Sequence, residues 1–195
     1  MHILIVDDHP MVLQSMMLIL EQAGHQVDSA ADERQAREKL QQRYDLLLLD
    51  YNLQTNKGTE LLDQEIVRPD RTVLISGLTD PDIILHTLEN PAVHAFISKQ
   101  LDPEELPLAI AQLEQLSTPP PWIWCSQGKS FVGAGEAYPK NSVLTPKERE
   151  VFMLLRQGML DKQIADHLHR SIHTIRVQIR AIKRKRGGQR RLPEA

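Results

Sequence analysis

The sequence predicts two modules, an α/β module with five parallel strands and helices on both faces, followed by a small all-α module. Over the first 116 residues, short aliphatic runs alternate with longer amphipathic stretches, which is the pattern of repeated βα units and of a doubly wound parallel sheet. A run of three prolines at 119–121 then ends the alternation. Only helical periodicity follows it.

The five strands are predicted from aliphatic runs that would be buried on both faces of a sheet. They lie at 3–6, near Val27, and at 46–49, 72–75 and 95–97. The amphipathic stretches between them predict helices at 10–23, 32–43, 58–67, 80–89 and 102–116. In such a sheet, functional side chains are expected beyond the carboxyl ends of the strands.

Charge divides the chain into an acidic and a basic part. Residues 1–120 contain 20 acidic and 8 basic side chains, a net charge of −12, whereas residues 121–195 contain 6 and 15, a net charge of +9. This asymmetry suits a protein in which one module avoids the DNA polyanion and the other binds it. The alternative is two ordinary solvated surfaces of opposite charge.

The remaining composition narrows the class of protein. Cys125 is the only cysteine, so an internal disulfide is excluded and a reducing compartment is favoured. No apolar run approaches the roughly 18 residues that span a bilayer. The sequence therefore predicts a cytoplasmic protein without a membrane partner.

The strand ends carry acidic, hydroxyl and cationic side chains. Asp7 and Asp8 follow the first strand and Asp50 ends the third, while Ser76 and Lys99 follow the fourth and fifth. Three carboxylates at one sheet edge repel one another unless a cation neutralises them, and open oxygen ligands suit Mg²⁺. A carboxylate beside Mg²⁺ and a lysine is a candidate phosphoryl acceptor.

These residues resemble, in their order, the receiver domain of two-component response regulators over residues 1–117. The residues that carry the resemblance are Asp7, Asp8, Asp50, Gly58, Ser76, Phe96 and Lys99. The resemblance implies that Asp50 accepts a phosphoryl group from a sensor histidine kinase. It also implies that Asp8, Asp50 and the main-chain carbonyl of Asn52 hold Mg²⁺, with Asp7 assisting.

The resemblance further implies a switch made of three residues. Ser76 would hydrogen-bond the phosphoryl oxygens, Phe96 would swing inward behind it, and Lys99 would contact a phosphoryl oxygen. The sequence departs from the family pattern in loops, since Gln54 stands where the family usually has Pro. The turn at 90–94 also lacks the family's glycine.

The basic part predicts three helices with defined ends. The helices are predicted at 146–157, 161–168 and 172–186. Thr145 and Glu148 have the spacing of a capping box, and Gly158 suits a helix stop. Asp161 and Ser171 are predicted to cap the second and third helices. Two helices joined by a short turn indicate a helix-turn-helix.

The last helix has one apolar and one cationic face. Ile172, Ile175, Ile179 and Ile182 recur at helical spacing, and the other side carries Arg176, Arg180 and Lys183. An α-helix fits the DNA major groove, where arginine is the residue that most often reads guanine. The alternative is a positively charged helix that only faces solvent.

Residues 144–187 resemble the LuxR-type helix-turn-helix of the NarL/FixJ subfamily. The motifs lie at 144–151, 161–165 and 173–179. By position, the resemblance implies base contacts from Arg176, Val177 and Arg180, with Gln178 standing where the family often has His. It implies phosphate contacts from Lys162, Thr174 and Lys185.

Two features near the C-terminus differ from that family. Arg186 replaces a usual Leu, and the residues after Gly187 are too few and too rich in Gly and Pro for the family's fourth, dimerising helix. Dimerisation is therefore expected through the receiver. The predicted domains are a receiver at 1–117, a linker at 118–143 and a DNA-binding domain at 144–190.

The prediction is a response regulator, not an enzyme, whose phosphorylation at Asp50 frees the last helix for DNA or permits pairing. Its expected partners are a histidine kinase, double-stranded DNA, a second copy and, as a further candidate, RNA polymerase. One alternative is a DNA-binding regulator whose receiver is not phosphorylated. The other is an Asp-nucleophile phosphohydrolase of the haloacid dehalogenase type, although Asn52 stands where that class needs a second acid.

Overall fold

The computed structural model describes residues 1–53, 56–63, 67–116, 121–138 and 144–186. The chain divides into two compact units, one made of Met1–Thr79 with Thr87–Ala137 and the other of Asp80–His86 with Tyr138–Ala195. Gln54, parts of the predicted linker and the predicted end of the DNA-binding domain at 187–190 lie outside the described residues.

The first unit is built on one large sheet. Its strands are β1 (His2–Val6), β2 (Gln26–Ala30), β3 (Leu46–Asp50), β6 (Arg71–Ser76), β7 (Ala95–Ser98), β8 (Trp122–Cys125) and β9 (Ser130–Gly133). A separate antiparallel pair consists of β4 (Asn52–Leu53) and β5 (Asn56–Lys57). The strand order in the large sheet is β2-β1-β3-β6-β7-β8-β9. All neighbours pair in parallel except β8 and β9.

Helices and a 3₁₀ segment connect these strands. They are α1 (Pro10–Gln22), α2 (Glu33–Lys39), the 3₁₀ helix Gly58–Asp63, α3 (Pro81–Thr87), α4 (Glu105–Gln115) and α5 (Ala134–Ala137), followed by α6 (Pro146–Arg156), α7 (Asp161–His167) and α8 (Ile172–Arg186). The predicted α-helix at 58–67 is wrong for residues 58–63, which form a 3₁₀ helix, and residues 64–66 lie outside the described residues. The other predicted helices agree with the observed ones to within three or four residues at each end.

The predicted doubly wound parallel sheet is confirmed, but it has seven strands instead of five. The two additional strands, β8 and β9, form a hairpin within the segment predicted as a linker. Trp124 on β8 is 5% exposed and packs edge to face against Phe131, with ring centroids 5.2 Å apart. The hairpin thus supplies aromatic side chains to the main hydrophobic core and pairs with the edge of β7.

In the second unit, α6, α7 and α8 pack around completely buried aliphatic side chains. These are Val151, Ile164, Ile175 and Ile182. The predicted capping box is present, since Glu148 N donates to Thr145 Oγ1 at 3.3 Å and Thr145 N donates to Glu148 Oε2 at 2.8 Å. Gly158 has a φ of +80°, which suits the end of α6.

The start of α7 differs from the prediction. Asp161 is the first helical residue of α7, and Leu160 is in the N-cap position, with an extended backbone. Leu160 N donates a hydrogen bond to Gln163 Oε1 at 2.8 Å. Asp161 instead pairs with Arg176 at 3.2 Å. The predicted cap of α8 is present, since Thr174 N donates to Ser171 Oγ at 3.1 Å.

Within the described part of the chain, the helices lack the combination of length and apolar character that crossing a membrane requires.

Candidate functional site

The three predicted carboxylates meet at one edge of the large sheet. Asp7 and Asp8 follow β1, Asp50 ends β3, and these strands are parallel neighbours. Asp7 is completely buried and Asp50 is 2% exposed. The alignment of the two strands therefore holds two carboxylates together away from bulk water, where their charge requires a nearby cation.

Lys99 supplies that cation from the end of β7. Its Nζ lies 2.7 Å from Asp50 Oδ2 and 2.6 Å from Asp7 Oδ2. Burial alone lowers the pKa of a lysine, but the hydrogen bonds to Asp50 and Asp7 outweigh it and raise the pKa of Lys99. Burial is the largest influence on Asp50 and raises the pKa of this carboxyl despite the neighbouring ammonium.

Sequence reasoning missed one member of the cluster, His9. Its Nδ1 lies 2.8 Å from Asp8 Oδ1 and 3.2 Å from Asp7 Oδ1. One ligand atom from each of Asp7, Asp8, His9 and Asp50 lies within 4.8 Å of the others. The only signal in the sequence was the position of His9 directly after the acidic pair, before the start of α1.

The donor atoms of this cluster fit a divalent cation. Asp7 Oδ2 lies within ion-pair distance of the Lys99 ammonium, and Asp8 Oδ1 within ion-pair distance of the His9 imidazole. The same ammonium also contacts Asp50, so three close carboxylates share one ammonium and one imidazole. Three close carboxylates repel one another unless enough positive charge lies beside them. Hard oxygen ligands of this kind suit Mg²⁺.

The backbone after Asp50 lies close to the site. Asn52 N donates to Asp50 Oδ1 at 3.3 Å, while the Asn52 side chain is exposed. Gly58 N donates to Tyr51 O at 2.8 Å, and a Cβ at position 58 would lie 1.9 Å from the carbonyl oxygen of Asp50. Only glycine therefore fits at this position without displacing the backbone of Asp50.

Ser76 and Phe96 lie on the neighbouring strands β6 and β7. Ser76 is completely buried at the end of β6, one residue beyond Ile75, which pairs in register with Asp50. Its Oγ accepts a hydrogen bond from Leu78 N at 3.4 Å. Phe96 is 2% exposed, so its ring occupies an inward position in this structure.

A second candidate site lies on the cationic face of α8. Thr174, Arg176, Val177 and Arg180 are exposed, as is Lys162 on α7. Ile172 was predicted on the packed face but is 38% exposed, because it lies at the first turn of the helix beyond the core. These exposed side chains form a basic and partly apolar surface that fits a polyanion.

Lys185, one of the predicted DNA-contact residues, has an ion-pair partner within the second unit. Lys185 Nζ lies 2.6 Å from Glu148 Oε2. Burial raises the pKa of Glu148, but the bonds from Lys185 and Thr145 outweigh that effect and lower it. Gln178 is half-buried, and its Oε1 has no hydrogen-bond partner among the described residues.

Family models match both parts of the chain. The model of the response regulator receiver domain matches residues 3–111, and the model of bacterial regulatory proteins of the luxR family matches residues 142–189. The two matches include all the site residues described above.

Similar proteins match over nearly the whole chain. The nitrate/nitrite response regulator protein NarP of Escherichia coli is 28% identical over 94% of this chain and 87% of its own length. The oxygen regulatory protein NreC of Staphylococcus carnosus is 29% identical over 90% and 86% of the two chains. The matches therefore span most of this chain and most of each relative.

Solved structures of similar architecture are also known. RcsB from Salmonella enterica serovar Typhimurium, bound to the promoter rprA with the phosphomimetic BeF₃⁻, matches with a TM-score of 0.61 and 26% identity, covering 95% of this chain and 91% of that chain. A structure of two RcsB dimers bound to two parallel DNAs matches with a TM-score of 0.62 and 26% identity, covering 93% and 89%.

Proposed function

Because the chain belongs to the NarL/FixJ family of response regulators, we propose that Asp50 is the phosphorylated residue of a two-component pathway. The protein is a phosphorylation-dependent regulator of transcription with a LuxR-type DNA-binding domain. The observation that carries the proposal is the contact of Asp50 with Lys99 beside Asp7, at 2.7 and 2.6 Å from one ammonium group.

In the proposed reaction, a carboxylate oxygen of Asp50 attacks the phosphorus atom of a phosphohistidine on a sensor kinase. An O–P bond forms, the N–P bond breaks, and the imidazole leaves with its electron pair. The product is an acyl phosphate on Asp50. Lys99 then moves its ammonium from the two carboxylates to a phosphoryl oxygen, which keeps the charge of the site compensated.

Asp7, Asp8, Asp50 and the carbonyl of Asn52 would hold a magnesium ion, which would supply further positive charge for the phosphoryl oxygens. The three carboxylates, two of which share one ammonium, support this assignment. Gly58 allows the backbone of Asp50 to remain in place, and Asn52 N orients one oxygen of the acceptor. Ser76 is the proposed hydroxyl donor to the phosphoryl group, with Phe96 packed behind it.

We assign DNA binding to the exposed face of α8 and its neighbours. Arg176, Val177, Gln178 and Arg180 are the proposed base-reading residues. Lys162, Thr174 and Lys185 are the proposed phosphate contacts, for which Lys185 would exchange Glu148 for a phosphate. The proposed DNA-binding domain is 144–190 and the proposed receiver is 1–117.

The proposed partners follow from this assignment. They are a histidine kinase, double-stranded DNA and a second copy bound through the receiver, with RNA polymerase as a further candidate. The BeF₃⁻-bound and dimeric RcsB structures support the phosphorylation and the pairing by analogy. A cytoplasmic location is part of the same proposal.

The assignment of Asp50 is tested by intact-protein mass spectrometry after incubation with Mg²⁺ and acetyl phosphate. Wild type is expected to gain one phosphoryl group that hydroxylamine removes, since an acyl phosphate reacts with this nucleophile. Asp50→Asn should gain none. An unmodified wild type would favour a receiver that senses a different ligand, and a modified Asp50→Asn would place the acceptor elsewhere.

A further inference from the structure

The strand that carries Phe96 is an inner strand of the sheet. The sequence predicts that the sheet ends at β7, but β8 pairs with β7 in parallel and β9 continues the sheet beyond it. A side chain on an edge strand can turn past the edge into solvent, whereas one on an inner strand has neighbours on both sides. The hairpin of β8 and β9 therefore changes the space into which the ring of Phe96 could move.

Ile123 is the neighbour of Phe96 on β8. The register pairs Phe96 with Leu74 on β6 and with Ile123 on β8. Because side chains alternate between the two faces along each strand, residues paired in register lie on the same face. Leu74, Phe96 and Ile123 are 0%, 2% and 6% exposed. The ring is thus flanked by a buried aliphatic side chain from each neighbouring strand.

Ser76 lies on the same face of the sheet as Phe96. It follows Leu74 by two positions on β6 and is completely buried. Across this face, the order is therefore the hydroxyl proposed to meet the phosphoryl group, the ring of Phe96 and then Ile123. A ring that turned away from Ser76 along the sheet would move toward Ile123, where the space is already filled.

Helix α4 fixes the hairpin from the opposite face. Trp124, the next residue after Ile123, donates from Nε1 to Glu105 Oε2 at 3.1 Å. Gln112 Nε2 donates to the carbonyl oxygen of Lys129, in the turn of the hairpin, at 2.8 Å. Both acceptor and donor side chains come from α4. These contacts hold β8 against β7, so Ile123 remains beside the ring of Phe96.

We propose that Ile123 is a positioning residue that holds the ring of Phe96 inward behind Ser76 whether or not Asp50 is phosphorylated. This inference rests on the function proposed above and replaces the swing of Phe96, which the family resemblance implies, with a fixed ring. A phosphoryl group shifts a residue between two positions only if both positions are accessible. Ser76, and not Phe96, is then the side chain that responds to the phosphoryl group.

Fluorine NMR of the full-length protein tests the position of the ring. The chain contains three phenylalanines, Phe96, Phe131 and Phe152, so labelling with para-fluorophenylalanine gives three resonances. Phe131→Tyr and Phe152→Tyr assign them. The difference in chemical shift between H₂O and D₂O reports whether a ring contacts solvent. It is measured before and after treatment with acetyl phosphate and Mg²⁺, and the mass of the same sample reports phosphorylation.

In wild type, the resonance of Phe96 is expected to show no solvent isotope shift in either state. Ile123→Ala removes the side chain beside the ring, and the resonance of Phe96 should then gain an isotope shift. Ile123→Leu keeps the volume and should restore the wild-type result. Val132→Ala is the matched control, because Val132 lies on the same face but one strand farther from Phe96, and should behave like wild type.

An isotope shift of Phe96 in unphosphorylated wild type that disappears on phosphorylation would show a swinging ring and overturn the proposal. Absence of an isotope shift in Ile123→Ala, folded by circular dichroism, would overturn the role of Ile123. If Ile123→Ala is unfolded, Ile123→Val takes its place, with a smaller gain expected. The two proposals fail separately, since the mass reports phosphorylation, whereas unphosphorylated wild type and Ile123→Ala report the ring alone.

Discussion

The ammonium of Lys99 lies between Asp50 and Asp7, 2.7 Å from Oδ2 of the first and 2.6 Å from Oδ2 of the second. Both carboxylates are almost completely buried. One ammonium thus compensates two carboxylates at the point where a third negative group, the phosphoryl, is proposed to bind.

Replacing Lys99 with Met should destabilise the protein and increase the effect of Mg²⁺ on stability. Two buried carboxylates would lose their counter-ion, which costs about 3 kcal/mol for a buried pair. Mg²⁺ should then raise the Tm of Lys99→Met more than that of wild type, because it replaces the missing charge. Calorimetry with and without Mg²⁺ measures both effects, and Arg43→Met, at an exposed position, is the control. An equal response to Mg²⁺ in both proteins would contradict the proposed metal site.

Replacing Gly58 with Ala should displace the backbone of Asp50. The added Cβ would lie 1.9 Å from the carbonyl oxygen of Asp50, so the chain must shift at a cost of about 1–3 kcal/mol or more. We expect a lower free energy of unfolding and a slower gain of phosphoryl mass from acetyl phosphate. Gly133→Ala is the control, since a Cβ there meets no atom within 4 Å. Wild-type phosphorylation of Gly58→Ala would show that this close approach is unimportant.

Replacing Trp124 with Ala should destabilise the first unit without preventing phosphorylation of Asp50. Trp124 is 5% exposed, contacts Phe131 and donates from Nε1 to Glu105 Oε2 at 3.1 Å. Loss of a buried aromatic ring costs about 3–5 kcal/mol. Urea unfolding measures the loss, with half-buried Trp122→Ala as the smaller-effect control. Stability equal to wild type would mean that the hairpin does not contribute to the core.

The stability of the protein should fall as the pH is lowered below about 6.5, in part because of His94. Burial and the charge of Arg71 lower the pKa of His94, and its Nδ1 accepts a hydrogen bond from Thr72 N at 3.1 Å. The neutral ring is thus favoured in the folded state. The neutral ring of His94 contributes fully to the free energy of unfolding at pH values above the pKa that His94 has in the unfolded chain. This contribution is lost as the pH falls through the lower pKa that His94 has in the folded protein.

His94→Asn keeps an acceptor but cannot titrate, so its stability should depend less on pH between about 6.5 and 5. Equilibrium urea unfolding at several pH values measures this difference. Exposed His173→Asn is the matched control and should follow wild type. An identical pH dependence in wild type and His94→Asn would exclude His94 as the cause.

Two substitutions in the helix-turn-helix should weaken DNA binding in different ways. Arg180→Ala should cost about 1–3 kcal/mol on the preferred duplex and relax its sequence preference, because Arg180 is the proposed base reader. Lys162→Ala should weaken binding to all duplexes similarly and reduce the salt dependence by about one ion, because it is the proposed phosphate contact. Fluorescence anisotropy at several salt concentrations separates the two. Equal effects of both changes on preferred and random duplexes would contradict the assignment.

Local sequence patterns predicted the elements that place the acidic site. Aliphatic runs identified β1, β3, β6 and β7, and in a parallel sheet their carboxyl ends must lie at one edge. That rule places Asp50 and Lys99 at the same edge, whereas their 2.7 Å contact also depends on the strand order β3-β6-β7. From the sequence, Gly58 could be matched to a family pattern, but the reason for a glycine there could not be given. That reason is the close approach of position 58 to the carbonyl oxygen of Asp50, which depends on the path of the backbone after Asp50.

Two features missed by sequence reasoning depend on contacts between distant segments. The hairpin of β8 and β9 pairs with β7 only after α4 has returned the chain across the sheet, and the preceding proline run obscured its strand pattern. The ion pair of Arg186 with Asp80 joins residues 106 positions apart. No local periodicity encodes either pairing.

The most direct test of the central claim is the DNA affinity of the protein before and after phosphorylation, measured on a duplex selected from a random-sequence library by the phosphorylated protein. Treatment with acetyl phosphate and Mg²⁺ is predicted to raise the affinity of wild type by about tenfold or more, as expected for a coupling free energy of 1–3 kcal/mol, and to leave Asp50→Asn unchanged. Equal affinity of phosphorylated and unphosphorylated wild type, or an equal rise in Asp50→Asn, would contradict control of DNA binding through Asp50.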